Sequence, residues 1–184
     1  MTAVYVVLAV LALVALWTVL AYNALVKSRN KVDEAWSGID VQLKRRHDLV
    51  PNLVESVKGY ATHERETLQQ VTVARLAAVE AEEPAAVERA EARLTSALGG
   101  IHALAEAYPQ LQASESFQRL QAELAAIENE IQAARRIYNS NVEHYNTRTQ
   151  QFPTVLIAGS MSFAPRDFFE VETPAERGVP QVAF

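Results

Sequence analysis

The order of apolar and polar positions divides the chain into three stretches. From Ala3 to Ala21 every side chain is apolar except Thr18. A helix of about 20 residues, rising 1.5 Å per residue, covers the roughly 30 Å of a bilayer's hydrocarbon core. The run therefore reads as a transmembrane helix, with Val4, Leu8, Leu11, Val14, Trp17 and Leu20 as anchor residues. A cleaved signal would need a basic leader, a shorter apolar core and a small-residue cleavage site, so the expectation is an uncleaved anchor. Beyond it, Leu25, Val32, Trp36, Ile39, Leu43 and Val50 keep helical steps, which predicts that the anchor helix runs on into the following domain.

A break is expected near residues 47–50, where Asp48 would cap a second helix with Pro51 in its first turn. That helix carries Leu53, Val57, Tyr60, Leu68, Val71, Ala74 and Ala78, and should stop near Pro84. A third follows through Val87, Ala90, Leu94, Leu98, Ile101, Ala105 and Tyr108 until Pro109 ends it, and Gly99-Gly100 inside it implies a bend or a close helix crossing. Ser114 is placed to cap a fourth, whose stripe is Phe117, Leu120, Leu124, Ile127, Ile131, Ala134, Tyr138, Asn141 and Tyr145. After Phe152-Pro153, the apolar residues from Val155 to Phe169 predict a helical turn and extended chain that fold back on the helices or meet a partner. Residues 172–184 read as a flexible tail ending in apolar Val182-Ala183-Phe184.

Helices that bury one stripe must pack on each other. The expected fold is therefore all-α: an N-terminal transmembrane helix continuing into an antiparallel long-helix, four-helix bundle, with a short C-terminal tail. The corresponding divisions are an anchor over 1–24, a helical domain over 25–151, and an apolar then flexible tail over 152–184.

Composition narrows the chemistry. There is no Cys, which removes disulfides, thiolate metal sites and Cys nucleophiles. With 17 basic and 22 acidic residues intermixed, there is no basic surplus to draw a nucleic acid partner. None of His47, His63, His102 and His144 has Glu three residues before it, and Thr67 stands where a zinc-protease helix would need its second His after His63-Glu64. No metal or other cofactor is expected, and the histidines read as solvated. Paired carboxylates such as Glu128 and Glu130 fall on polar faces, and no nucleophile elbow, phosphate loop or dinucleotide fingerprint occurs, so no enzyme class is indicated.

Charge sets orientation. No basic residue precedes the apolar run, whereas Lys27, Arg29 and Lys31 follow it closely, so the helical domain is expected in the cytoplasm with a short N-terminus outside. These three suit lipid headgroups. Lys44, Arg45 and Arg46 lie about 30 Å along a helix from the end of the apolar run, beyond the roughly 8–10 Å screening length, so Arg45 and Arg46 suit ion pairs with Asp40, Asp48 or a Glu of the fourth helix. Asn recurs beside aromatic or basic residues, as Tyr22-Asn23, Arg29-Asn30, Tyr138-Asn139 and Tyr145-Asn146, and the last two pairs repeat seven residues apart on one face. Together with Asn52, these amides form either a buried polar network that fixes helix register or a recognition groove for lipid or peptide.

The residues Tyr22-Asn23, Arg29-Asn30, Ala35-Trp36-Ser37, the run from Gln42 through Lys44-Arg45-Arg46-His47-Asp48-Leu49-Val50-Pro51-Asn52-Leu53, Tyr108-Pro109, Glu128-Asn129, Ala134-Arg135-Arg136, Tyr138-Asn139, Tyr145-Asn146 and Phe152-Pro153 resemble the LemA family over about residues 1 to 170. The resemblance implies a bacterial single-pass membrane protein with a long-helix bundle and a scaffold or envelope-associated role. The apolar stretch from Val155 to Phe169 points to other membrane proteins or further copies of the chain as partners. It supplies no catalytic residues.

Overall fold

The computed structural model describes residues 1–61 and 63–169. Among them are six helices and no strand: α1 (Thr2–Lys58), α2 (Arg65–Glu80), α3 (Pro84–Ala107), α4 (Pro109–Gln112), α5 (Glu115–Gln150) and α6 (Val155–Ser160). The tail expected over residues 172–184 lies outside the described residues.

Helix α1 is one element of 57 residues. Over residues 2–20 its side chains are exposed almost without exception, and the stretch is long and apolar enough to cross a membrane. From Ala21 onward the character changes. The buried positions Ala21, Leu25, Ser28, Val32, Ile39, Leu43, Arg46, Val50, Leu53 and Val57 advance by three, four or seven residues, a seam of average period 3.6 that a straight α-helix keeps on one face.

The expected break at residues 47–50 is absent, because Pro51 lies inside α1 and Asp48 caps nothing. Proline in a helix interior removes the N–H that would bond the carbonyl four residues earlier, here that of His47. Arg75 Nε donates to this carbonyl at 2.6 Å, so the acceptor freed by Pro51 is satisfied from α2. The helix instead ends at Lys58, where Tyr60 and Ala61 N–H both close on the Val57 carbonyl and the chain turns through Gly59-Tyr60.

Two compact units divide the chain. The first combines residues 1–41 with residues 130–168, and the second is built on residues 42–129. In the second, Val50, Leu53 and Val57 of α1, Leu68 and Val71 of α2, Leu94, Leu98 and Ile101 of α3, Leu111 of α4 and Phe117 of α5 form the core. Pro84 starts α3 at a first-turn position that needs no N–H donor. Pro109 keeps Tyr108 out of the helical region (φ −120°, ψ 83°) and separates α3 from α4. Of the two expectations for Gly99-Gly100, a close crossing is found: a Cβ on Gly100 would stand 3.3 Å from Thr67 Cγ2, whereas Gly99 faces open space.

In the first unit, α1 and α5 run antiparallel. Trp36 meets Tyr138 edge-on at 5.4 Å between ring centroids, and Asn141 Nδ2 approaches the Lys31 carbonyl at 3.4 Å. The α5 seam is Ile127, Ile131, Arg135, Tyr138, Val142, Tyr145 and Thr149, again with steps of three and four. After α5 the chain turns, forms α6, and returns as a strap over residues 163–168. Ser162, at φ 58°, occupies the left-handed position after α6, and Phe163 N–H reaches back to the Ala158 carbonyl at 3.1 Å. This six-to-one closure, with Ala158 and Phe163 both buried, is the Schellman form of helix ending and redirects the chain along α5.

Candidate functional site

Two polar constellations stand out, one in each unit. In the second unit α1 presents Arg46 and His47 inward, and α3 presents Glu91, whose side chain is only 1% exposed. Arg46 Nη1 lies 3.1 Å from Glu91 Oε2, and His47 Nε2 lies 2.5 Å from Glu91 Oε1, so both carboxylate oxygens are engaged. Arg46 Nη2 donates to Thr95 Oγ1 at 2.7 Å, and Nη1 is 3.4 Å from Glu128 Oε2 on α5. With Arg75 on the His47 carbonyl, residues of α1, α2, α3 and α5 converge at one level. A charge buried this deeply is stable only when paired and hydrogen-bonded, a condition Glu91 meets. Such a network fixes which residues of neighbouring helices stand opposite each other.

Several residues singled out in the sequence take up different positions from those expected. Arg46 enters the network, but Arg45 is exposed and donates to Gln42 Oε1 at 3.1 Å within its own helix. Asp48, Asn52 and Asn30 are exposed. Asp40 is on the outer face of α1, where neighbouring atoms desolvate its carboxyl enough to raise its pKa. His47, read as a solvated histidine, is buried against Glu91. Glu91, Thr95 and Arg75 were not foreseen. The signal for Glu91 is its place in the steps Val87, Glu91, Leu94, Leu98, Ile101, Ala105, where a carboxylate holds a seam position.

In the first unit, the Tyr and Asn face of α5 is covered by the chain's own strap. Tyr138 Oη donates to the Asp167 carbonyl at 2.9 Å, and Tyr145 Oη to the Ala164 carbonyl at 3.0 Å. Asn146 makes two bonds to one residue: its Nδ2 donates to the Arg166 carbonyl, and its Oδ1 accepts from the Arg166 N–H, both at 2.8 Å. An amide pairs with a backbone unit in this way as a neighbouring strand would, so extended chain is held on a helix without a sheet. Asn139 is half-buried on the same helix. Arg166 Nη2 also reaches Asp33 Oδ1 of α1 at 3.0 Å. The surface that the sequence offered as a recognition groove is thus occupied from within. Burial pushes the phenols of Tyr138 and Tyr145 above their ordinary pKa; Arg166 opposes the rise in both, and Arg29 adds to that opposition at Tyr145.

At the end of this unit where the apolar run of α1 emerges, Phe163 packs edge-on against Tyr22 at 5.6 Å, and the Arg29 guanidinium lies 5.4 Å from the same ring. Lys27 and Lys31 are exposed. Val4, Leu8, Leu11, Val14, Trp17 and Leu20 all lie open along α1. Among the described residues no group of three or more His, Asp or Glu converges as metal ligands would.

A model of the LemA family matches residues 35–184. The chain is 30% identical over 138 residues to the protein LemA of Metamycoplasma hominis, an alignment that takes in 74% of this chain and 63% of that protein. It is 26% identical over 196 residues to the magnetosome protein MamQ of Magnetospirillum gryphiswaldense, covering 91% and 72% of the two chains. It is 24% identical over 180 residues to the magnetosome protein MamQ 2 of Paramagnetospirillum magneticum, covering 84% and 66%. The chain therefore spans a little under two thirds of the length of its LemA relative.

Proposed function

The chain belongs to the LemA family, and from that membership we propose that it is a single-pass protein of the bacterial inner membrane whose helical domain, in the cytoplasm, is a non-catalytic scaffold for other membrane proteins or for further copies of itself. The observation that carries the reading is the character of α1. Residues 2–20 form an apolar helix whose side chains are exposed almost without exception, and the same helix continues without a break into the seams of both units. An apolar surface of that length is unfavourable in water and favourable in lipid, so the anchor reading accounts for it. Lys27, Arg29 and Lys31 on the following side support a cytoplasmic domain.

For the scaffold role, the support is that both polar constellations are internally satisfied and act on helix register, while α2 leaves Val73, Leu76 and Val79 exposed at steps of three. Isolated apolar side chains on a surface are ordinary, but a row of them suits contact with a partner. The names of the relatives specify no reaction.

The test uses native membranes. A reporter active only outside the cytoplasm, fused after Gly178, should be silent; strong activity would reverse the orientation. A single cysteine at Leu76, treated with a short bifunctional cross-linker, should yield a discrete adduct that disappears when Val73 and Val79 become Ser. Recovery of uncross-linked monomer alone, in membranes and in mild detergent, would reject the scaffold reading.

A further inference from the structure

We propose that residues 151–162, beside the exit of α1 from its apolar run, form a foot that seats in the interfacial layer of an anionic bilayer. The inference rests on the anchor reading of α1.

Register is the first argument. Trp36 opposite Tyr138, with Lys31 opposite Asn141, fixes the antiparallel pairing of α1 and α5. At equal rise along both helices, that pairing brings Gln150, the last residue of α5, roughly level with residues 22–24. The Phe163–Tyr22 contact closes the loop from its other end. Residues 151–162 are therefore held at the height where the apolar run gives way to Tyr22 and Asn23.

Polarity is the second. Helix α6 is attached to its unit by buried Ile157 and Ala158, yet its outward side is not polar. Leu156 is 64% exposed, Phe152 just before it 81%, and Val155 and Met161 are exposed as well. A helix surface facing water carries polar residues. This arrangement is inverted, and the Phe163–Tyr22 contact places it beside the end of the exposed apolar run of α1. Apolar and aromatic residues with a polar collar just above them suit the headgroup–acyl boundary.

Charge is the third and selects the lipid. No Asp or Glu occurs in residues 1–32 or 144–166, the two stretches that build this end, whereas Lys27, Arg29, Lys31, Arg148 and Arg166 do, the last of them paired with Asp33. Lys27 stands about 10 Å along α1 from Leu20, within a screening length of a headgroup layer. A linear count of basic residues near the apolar run misses Arg148, which only folding brings to this level. A collar with cations and no carboxylate fits anionic headgroups.

The absence of native Cys allows single nitroxide labels on the full chain, reconstituted in phosphatidylglycerol-containing vesicles. Labels at Leu11→Cys, Phe152→Cys, Leu156→Cys and Ser140→Cys report depth by their relative accessibility to oxygen and to a water-soluble nickel chelate. Ser140 is exposed on α5, further from the apolar run. We expect nickel accessibility at 152 and 156 to fall several-fold below that at 140 and to approach the value at 11. In phosphatidylcholine vesicles, or with Lys27→Gln and Arg148→Gln, position 156 should move toward water. Labels at 152 and 156 as accessible as 140, with 11 still protected, would overturn the foot and leave the anchor standing. Nickel access at 11 as well would overturn both. Equal depth in the two lipids would overturn the anionic selectivity.

Discussion

Replacing Arg75 with Met should destabilise the second unit, and most of that cost should disappear when Pro51 is also replaced by Ala. Pro51 leaves the His47 carbonyl without its helical donor, and Arg75 Nε fills the vacancy at 2.6 Å. A hydrogen bond from a charged donor contributes about 1.5–3 kcal/mol net, and an orphaned buried acceptor costs about 1–3 kcal/mol. Arg75 is only half-buried, so the lower end applies, and Arg75→Met should cost about 1.5 kcal/mol. Met keeps most of the aliphatic stem, so lost packing is a small part of this.

In the Pro51→Ala chain a backbone N–H again faces the His47 carbonyl. That single change should stabilise, by up to about 3 kcal/mol on helix propensity alone. Arg75→Met in its presence should cost about 1 kcal/mol less than in the parent, because the acceptor keeps a partner. Denaturant unfolding of the full chain in mild detergent, followed by circular dichroism and by hydrogen exchange over residues 47–55, gives the four corners of the cycle. Independent sites add to within about 0.3–0.5 kcal/mol. If the cost of Arg75→Met is the same in both backgrounds within that margin, Arg75 is not substituting for the missing amide.

Other changes probe the remaining contacts. Asn146→Asp can still accept from the Arg166 N–H but can no longer donate to its carbonyl, so trypsin should cut after Arg166 faster than in the parent, and faster still in Asn146→Ala; unchanged cutting in both would show that the strap is held elsewhere. Gly99→Ala should stabilise α3 by about 0.5–1 kcal/mol on propensity, whereas Gly100→Ala must displace Thr67 Cγ2 and should gain less or lose; equal melting temperatures would remove the close crossing. Glu91→Leu leaves Arg46 buried with only Thr95 and the partly exposed Glu128, and should cost about 3–5 kcal/mol, which a cost below 1 kcal/mol in denaturant unfolding would contradict. Because burial raises the Tyr138 and Tyr145 phenols, their contribution is intact below the unfolded value of about 10 and declines as pH rises through the folded values. Melting temperature between pH 8 and 12 should accordingly fall less steeply in Tyr138→Phe than in the parent, and identical slopes would contradict it.

What could be foreseen and what could not are divided by a physical distinction. The apolar run, the long helices, the helix ends before Pro84 and at Pro109 and the tight crossing at Gly100 follow from local chemistry: side-chain period, a missing N–H, a missing Cβ. Pro51 obeys the same local rule, yet the helix passes through it, because the rule asks only whether a carbonyl loses its donor. The answer to where another donor comes from lies 28 residues away in Arg75. Glu91 shows the complementary case. Its position in the α3 seam is plain from the steps of three and four around it, but apolar positions alone put Ala90 there and leave the carboxylate on the polar face. Arg46 and Arg135 likewise hold seam positions in α1 and α5 and are likewise buried. Each of the three longest helices thus carries a charge where its own apolar pattern calls for a hydrophobe. Seam charges are tolerated only with partners from other helices, so a charge at such a position is itself a sign of a cross-helix partner. Arg46 and Glu91 supply that partner to each other, which ties α1 to α3 at one register that apolar packing alone would leave free to slip.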